Sequence, residues 1–133
     1  MNFLVIGAAK SGYAEAITRM LINKGHSVIG TYDKDYAENA NKMLKEFSEN
    51  QLSLTQVDLS IRNELKIFVE SINQKIDGMV FAQFFFEMEN PDEFDYEIWD
   101  KSLAINLTAP NYLVHELKSK MHNGSSIVII TST

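Results

Sequence analysis

The sequence predicts an α/β domain: a doubly wound parallel sheet, strand order 3-2-1-4-5, with helices on both faces. Three observations carry that expectation. Short apolar runs alternate along the chain with stretches of helical period. The first run is broken at Gly7, and Gly12 follows shortly before helical spacing begins. Residues able to bind or react recur just after the strands, where such sheets hold ligands.

Residues 3–6 are the first strand, an apolar run suited to burial on both faces. Gly7 ends it, and small residues continue to Ala14. From there Ile17, Met20 and Leu21 recur at helical spacing, leaving Glu15, Arg19 and Lys24 for the outer face. Gly25 stops this helix. Residues 27–32 form the second strand, and residues 36–50 a helix with Ala40, Met43, Leu44 and Phe47 on one face. Residues 52–57 are the third strand, followed by Asp58. Ser60 is expected to cap the next helix, striped by Leu65, Phe68, Val69 and Ile72. Residues 78–81 are the fourth strand, and a loop from 87 to about 94 contains Pro91. A long helix is expected from about 95 to 121, closed by Gly124, before a fifth strand at 126–130. Nothing resembling a repeat or linker divides the chain, so residues 1–133 are read as a single domain.

Composition narrows the function. The chain is 45% hydrophobic and 23% charged, as a soluble globular domain is. Its net charge of -6 disfavours nucleic acid and anionic membrane surfaces as partners. The absence of cysteine removes disulfides and thiolate metal sites and fits a reducing compartment, so a cytoplasmic location is expected. His26, His115 and His122 are scattered, and no metal is implied. No apolar run is long enough to span a bilayer, and Met1 leads straight into the first strand rather than into a leader.

The turn after the first strand suits an anion. Free N–H groups and the positive end of a helix dipole point at it, and glycine lets a phosphate approach the backbone. The spacing Gly7-x-x-x-x-Gly12-x-Ala14 is not a P-loop, because Tyr13 stands where the lysine would be. Taken alone, the same turn also serves as a glycine turn that binds nothing. Asp33, after the second strand, reads either as a ribose-binding acid or as a solvated turn residue beside Lys34 and Asp35. Tyr32 competes with it for the discriminating position. Gly7 to Gly12, Asp33, Asp58, Ala82 and Ser132 all fall at strand carboxyl ends and are expected to converge on one crevice. Phe84, Phe85 and Phe86 could line an apolar substrate pocket, although packing against the rest of the fold is the plainer expectation.

Several stretches together resemble the short-chain dehydrogenase/reductase family. The turn is similar to its TGxxxGxG turn, with Ile6 for threonine, one extra residue and Ala14 for the last glycine. Asp58-Leu59 resembles the family's Asp-Val or Asp-Leu pair. Ile76-Asp77-Gly78-Met79-Val80 resembles its lead into strand four. Trp99-Asp100 and Leu103-Ala-Ile-Asn106-Leu-Thr-Ala109 resemble its long helix, and Gly124-Ser-Ser-Ile-Val-Ile-Ile-Thr-Ser132 its GSIVNISS strand. These anchors span essentially the whole chain in order.

The resemblance implies a Rossmann-like domain binding NAD or NADP and moving a hydride between nicotinamide and a carbonyl or alcohol carbon of a small-molecule substrate. Gly7, Ala9, Lys10, Ser11, Gly12, Tyr13, Tyr32, Asp33, Asp58, Leu59, Ala82 and Gln83 are its implied cofactor-binding residues. Asn106 is implied to support a proton-relay water, and Ser132 to hydrogen-bond the substrate oxygen. Asp33 and Asp35, with no arginine nearby for a 2′-phosphate, tilt the expectation to NAD. The long helix, with Leu103, Leu107, Leu113, Val114 and Leu117, is implied to pair with a copy in a homodimer or homotetramer.

Two departures matter. Phe81-Ala82-Gln83-Phe84 replaces the family's NNAG; together with the longer first loop and the Thr31-Tyr32 pair, this leans partway toward its divergent enoyl-reductase branch. The YxxxK pair of the family is also missing: no tyrosine here has a lysine four residues later. The sequence therefore reads as the amino-terminal half of a longer enzyme, with a sheet incomplete on its C-terminal side and no turnover expected of this chain alone. A non-catalytic, redox-sensing dinucleotide-binding protein is the competing reading. A phosphoacceptor receiver domain ranks last, because Ile6-Gly7-Ala8 stands where it needs clustered acids.

Overall fold

The central strand, β1 (Asn2–Ile6), alternates its side chains between two cores. Leu4 and Ile6 face one, and Val5 faces the other, all three fully buried. The structure, a computed structural model, describes residues 1–131. After β1 come α1 (Tyr13–Asn23), β2 (Ser27–Tyr32), α2 (Ala37–Glu46), β3 (Leu52–Gln56), α3 (Arg62–Ser71), β4 (Ile76–Phe81), α4 (Tyr96–Leu103), α5 (Ala109–Leu117) and β5 (Met121–Ile129). Five parallel strands form a sheet in the order β3-β2-β1-β4-β5, as expected. Leu21 and Ile22 of α1 and Ala40 and Met43 of α2 join the Val5 core, while Leu65 and Phe68 of α3 and Leu113 and Leu117 of α5 join the Leu4 core. Helices thus cover both faces, and the switch in direction falls between β1 and β4, where α/β sheets hold ligands.

Several local expectations are corrected. Met20 is half-exposed and Leu44 is exposed; Thr18 and Ile22 fill the inner face of α1 instead. Thr18 can sit there because its hydroxyl lies 3.0 Å from the carbonyls of both Ala8 and Ala14. Helix α2 stops at Glu46, because Phe47 turns to extended backbone and packs beside the core. Ser60 does not cap α3: it donates to Asp58 Oδ1, and the backbone enters α3 through Ile61.

The long helix expected from about 95 to 121 runs without interruption from Tyr96 to Lys120, but its hydrogen bonding changes along the way. Asp95 caps α4 by accepting from the N–H groups of Glu97 and Ile98. A π-helical segment, Ala104–Thr108, separates α4 from α5, and a 3₁₀ turn leads into β5. Gly124 does not close a helix either. With φ +95°, it shapes a bulge inside β5, where Ile76 pairs with Met121 but Gly78 pairs with Ser126. β5 is an edge strand on which Ile127, Val128 and Ile129 are exposed.

The bulge carries a charged staple. His122 Nε2 lies 2.8 Å from Asp77 Oδ1, and Asp77 Oδ2 accepts from the Asn2 N–H at 2.7 Å, so three strand starts are tied together. The Asn2 N–H first, and then His122, hold the Asp77 carboxyl below its usual range. Asp77 first, and then the Asn123 carbonyl, raise His122 above the ordinary histidine value. The Asp77 contribution is present above the unfolded aspartate value and is lost as pH falls through its lowered one. The His122 contribution is complete below the unfolded histidine value and is lost as pH rises through its raised one. Stability is therefore expected to decline in the native chain as pH rises from the ordinary histidine value through the raised His122 one. Thermal melts of His122→Gln should lack that component, and identical pH profiles for both proteins would contradict the staple.

Candidate functional site

The turn after β1 is gripped by both neighbouring strands. On the β2 side, Gly7 N–H donates to Thr31 Oγ1 at 3.1 Å and Ala8 N–H to the Thr31 carbonyl at 2.8 Å. Gly30 lies against Ala8 so closely that a Cβ on Gly30 would stand 2.6 Å from Ala8 Cβ. On the β4 side, a Cβ on Gly7 would stand 3.1 Å from the Gln83 nitrogen, and Gly7 has φ +83°. Glycine is required at position 7 on both counts. Gly12, at φ +95°, begins α1 without a side-chain cap and with open space around its Cα. Glu15 N–H donates to the Lys10 carbonyl and Ala16 N–H to that of Gly12, which leaves the N–H groups of Tyr13 and Ala14 without a backbone acceptor among the described residues, at the positive end of the helix dipole.

A cleft of about 440 Å³ opens beside this turn. Gly7, Lys10, Tyr32, Asp33, Leu59 and Gln83, all expected cofactor-binding residues, line it together. Tyr32 is half-buried and packs on the Val5 core, whereas Asp33 is exposed and offers the carboxylate. Its Oδ1 accepts from the Asp35 N–H at 3.0 Å, opening a short 3₁₀ turn. Gln83 Nε2 donates to the Ile105 carbonyl at 3.4 Å, while Gln83 Oε1 is buried with no partner.

Other expected residues sit apart from the cleft wall. Ala9 is buried, its carbonyl accepting from Asn39 Nδ2. Ser11 is exposed on the turn. Tyr13 donates to the Ala82 carbonyl at 3.2 Å. Burial, and then Tyr36, push its phenol pKa up. Ala82 itself is fully buried. Asp58 turns to Ser60, and its own N–H donates to Glu64 Oε2 at 2.6 Å. Ser132 lies outside the described residues.

Asn106, in the π-helical segment, meets the loop after β4 rather than open space. Its Oδ1 accepts from the Phe85 N–H at 2.8 Å and its Nδ2 donates to the Phe85 carbonyl at 2.9 Å. The amide thus acts like a neighbouring strand. The wider π turn displaces position 106 from the regular helical course that its neighbours would follow.

Phe84, Phe85 and Phe86 do not pack into either core. All three line the cleft, with Phe84 half-exposed and Phe86 largely exposed. The Lys10 ammonium stands 3.2 Å from the Phe84 ring centroid and 3.4 Å from the Phe84 carbonyl. Burial lowers the Lys10 pKa. Lys101 stands 4.7 Å over Phe85 and also lines the cleft. Sequence reasoning missed Lys101, Thr31, Tyr36 and Ile105.

Comparisons with known proteins agree with this fold. A family model described as enoyl-(acyl carrier protein) reductase matches residues 7–133. A short-chain dehydrogenase/reductase, ABA4, of Pyricularia oryzae is 28% identical over 135 residues, covering 96% of this chain and 50% of its own. Serine dehydrogenase from Escherichia coli superposes with a TM-score of 0.83 at 28% identity, covering 100% of this chain and 62% of that one. A blue fluorescent protein from a metagenomic library, solved with NADPH, reaches a TM-score of 0.88 at 23% identity, over 98% and 55%. At that identity it speaks to the fold alone. The chain spans about half the length of the curated relatives it matches.

The Asn106 clamp has a direct test. Asn106→Leu removes both hydrogen bonds and is expected to cost about 1–2 kcal/mol. Hydrogen exchange at the Phe85 amide should accelerate with it. Unchanged protection at Phe85 would show that the loop holds its position without Asn106.

Proposed function

We propose a function on the premise that the comparisons establish: the chain belongs to the short-chain dehydrogenase/reductase family. Its cleft is the dinucleotide site of an NAD(P)-dependent oxidoreductase acting on a carbonyl or alcohol carbon. The observation that carries this reading is the buried, unpartnered Gln83 Oε1 in a cleft shared by the glycine turn and Asp33. An orphaned acceptor of that kind is costly unless a ligand donor satisfies it.

The residues fit such a ligand. The uncapped start of α1 and the open approach over Gly12 suit a pyrophosphate. Lys10 adds positive charge at the turn. Asp33 accepts from ribose hydroxyls and repels a 2′-phosphate, which favours NAD. A bound nicotinamide dinucleotide supplies the hydride. The phenyl groups of Phe84 and Phe85 exclude water from one wall.

The second reading, a dinucleotide-binding protein without catalysis, has its own support. Asn106 spends both ends of its amide on Phe85, and the Tyr13 phenol is pushed up rather than down. Neither is then poised to relay or donate a proton near neutral pH. Both readings share the cofactor site. Assembly into a homodimer or homotetramer would use the exposed Leu103 and Leu107.

Isothermal calorimetry tests the site. NAD is expected to bind more tightly than NADP, and Asp33→Ala should narrow the difference. Gln83→Met should weaken both by about tenfold while leaving the melting temperature unchanged or raised. Tighter NADP binding that ignores Asp33→Ala would remove the role given to Asp33. Undiminished binding by Gln83→Met would remove the role of the orphaned acceptor.

Turnover tests whether this chain catalyses by itself. No cofactor oxidation is expected from the 133-residue chain with a panel of ketones and enoyl thioesters. Robust turnover, followed by nicotinamide absorbance, would reveal a proton donor beyond those assigned.

A further inference from the structure

A second groove, of about 400 Å³, lies on the far side of Phe85 and Phe86 from the cleft. Phe85, Phe86, Ile98 and Trp99 wall it, and Glu87 and Glu89 line it as well. It belongs to an exposed patch rich in aromatic side chains. Phe86 is 75% exposed, Met88 83% and Tyr96 73%, and Phe94 stacks against both Tyr96 and Trp99. Contiguous aromatic surface of this kind on a folded domain marks an interaction site.

Charge says what kind of partner it takes. Residues 84–100 hold seven of the 18 acidic residues and none of the 12 lysines and arginines. Without that segment the chain would carry one more basic residue than acidic. The negative excess of the protein is therefore concentrated in the segment that carries the groove, and two of its carboxylates, Glu87 and Glu89, line the groove itself. Lys10 and Lys101 line the cleft, and Arg62 shares a separate pocket with Glu97, Asp100 and Lys101; none of the three cations lines the groove. Among the described residues the salt bridges involve none of the seven carboxylates.

We propose that this groove docks a cationic amphipathic peptide segment, one in which lysine or arginine alternates with apolar side chains. Apolar residues fill the space beside Phe86 and Trp99, while the ammonium or guanidinium groups meet Glu87, Glu89 and the aromatic faces. The spread of carboxylates along the patch suits several cations on one chain better than a single small cation. A second copy of this protein is a poorer occupant, since its corresponding patch is equally acidic.

Trp99 is the sole tryptophan and lines the groove, so its emission reports occupancy directly. The 133-residue chain is titrated with peptides of about 12 residues alternating lysine with leucine, glutamine with leucine, or lysine with glutamine. Only the lysine–leucine peptide should give a saturable blue shift. Raising salt from about 50 mM to about 500 mM should weaken it at least about tenfold. The pair Glu87→Gln and Glu89→Gln, on an exposed loop, should do the same, with far-ultraviolet circular dichroism unchanged. Glu38→Gln, on exposed α2, should leave the affinity as it was. An equal shift with the glutamine–leucine peptide would overturn the proposal in favour of unselective apolar contact. Equal affinity for an alkyltrimethylammonium probe would overturn it in favour of a small-cation subsite. A shift produced by protein concentration alone would overturn it in favour of self-association.

Discussion

The close packing of β1's turn against its two neighbours is the constraint on which the rest depends. Thr31 holds Gly7 and Ala8 through its hydroxyl and its carbonyl. Gly30 lacks the Cβ that would strike Ala8, and Gly7 lacks the one that would strike Gln83. Thr18 then reaches back from α1 to the Ala8 carbonyl. These contacts fix where α1 starts, and so where its free N–H groups point. They also bring Asp33, at the end of β2, and Gln83, after β4, to the two sides of one cleft. A larger residue at position 30 would move the turn and the start of α1 together.

A second clamp sets the other wall. Asn106 belongs to the π-helical segment between α4 and α5, and its amide meets both backbone groups of Phe85. The same contact separates two surfaces. On one side Phe84 and Phe85 sit beneath Lys10 and Lys101 and face the cleft; on the other Phe85 and Phe86 face the acidic groove. A segment with no regular secondary structure is thereby given a defined place by one side chain. Its hydrogen bonds replace those that a helix or strand would have supplied.

Much of the fold was legible in the sequence, because its signals are local and redundant. Each buried strand is an apolar run, and strands alternate with helical periods, which leaves few topologies open. Helix faces were less legible. Met20 and Leu44 fit an apolar stripe by spacing, yet the core space is taken by Thr18 and Ile22 in α1 and by Ala40 and Met43 in α2. Ser60 and Gly124 carried ordinary capping signals that the tertiary structure redirected, to Asp58 and to a bulge in β5 respectively. The positions of the candidate site came from strand ends and from the family resemblance, and six of them do share a cleft. What could not be read was the use made of each side chain. The pairing of Asn106 with Phe85 and of Lys10 with Phe84 spans 21 and 74 residues, and no local pattern encodes such contacts.

The central claim is that the turn, the end of β2 and Gln83 act as one dinucleotide site. Amide chemical-shift mapping by nuclear magnetic resonance during titration with NAD tests it most directly. Saturable shifts are expected on Gly7, the first turn of α1, Asp33 and Gln83, with the α5 face unmoved. Shifts confined to the acidic groove or the α5 face, or none at millimolar NAD, would contradict it.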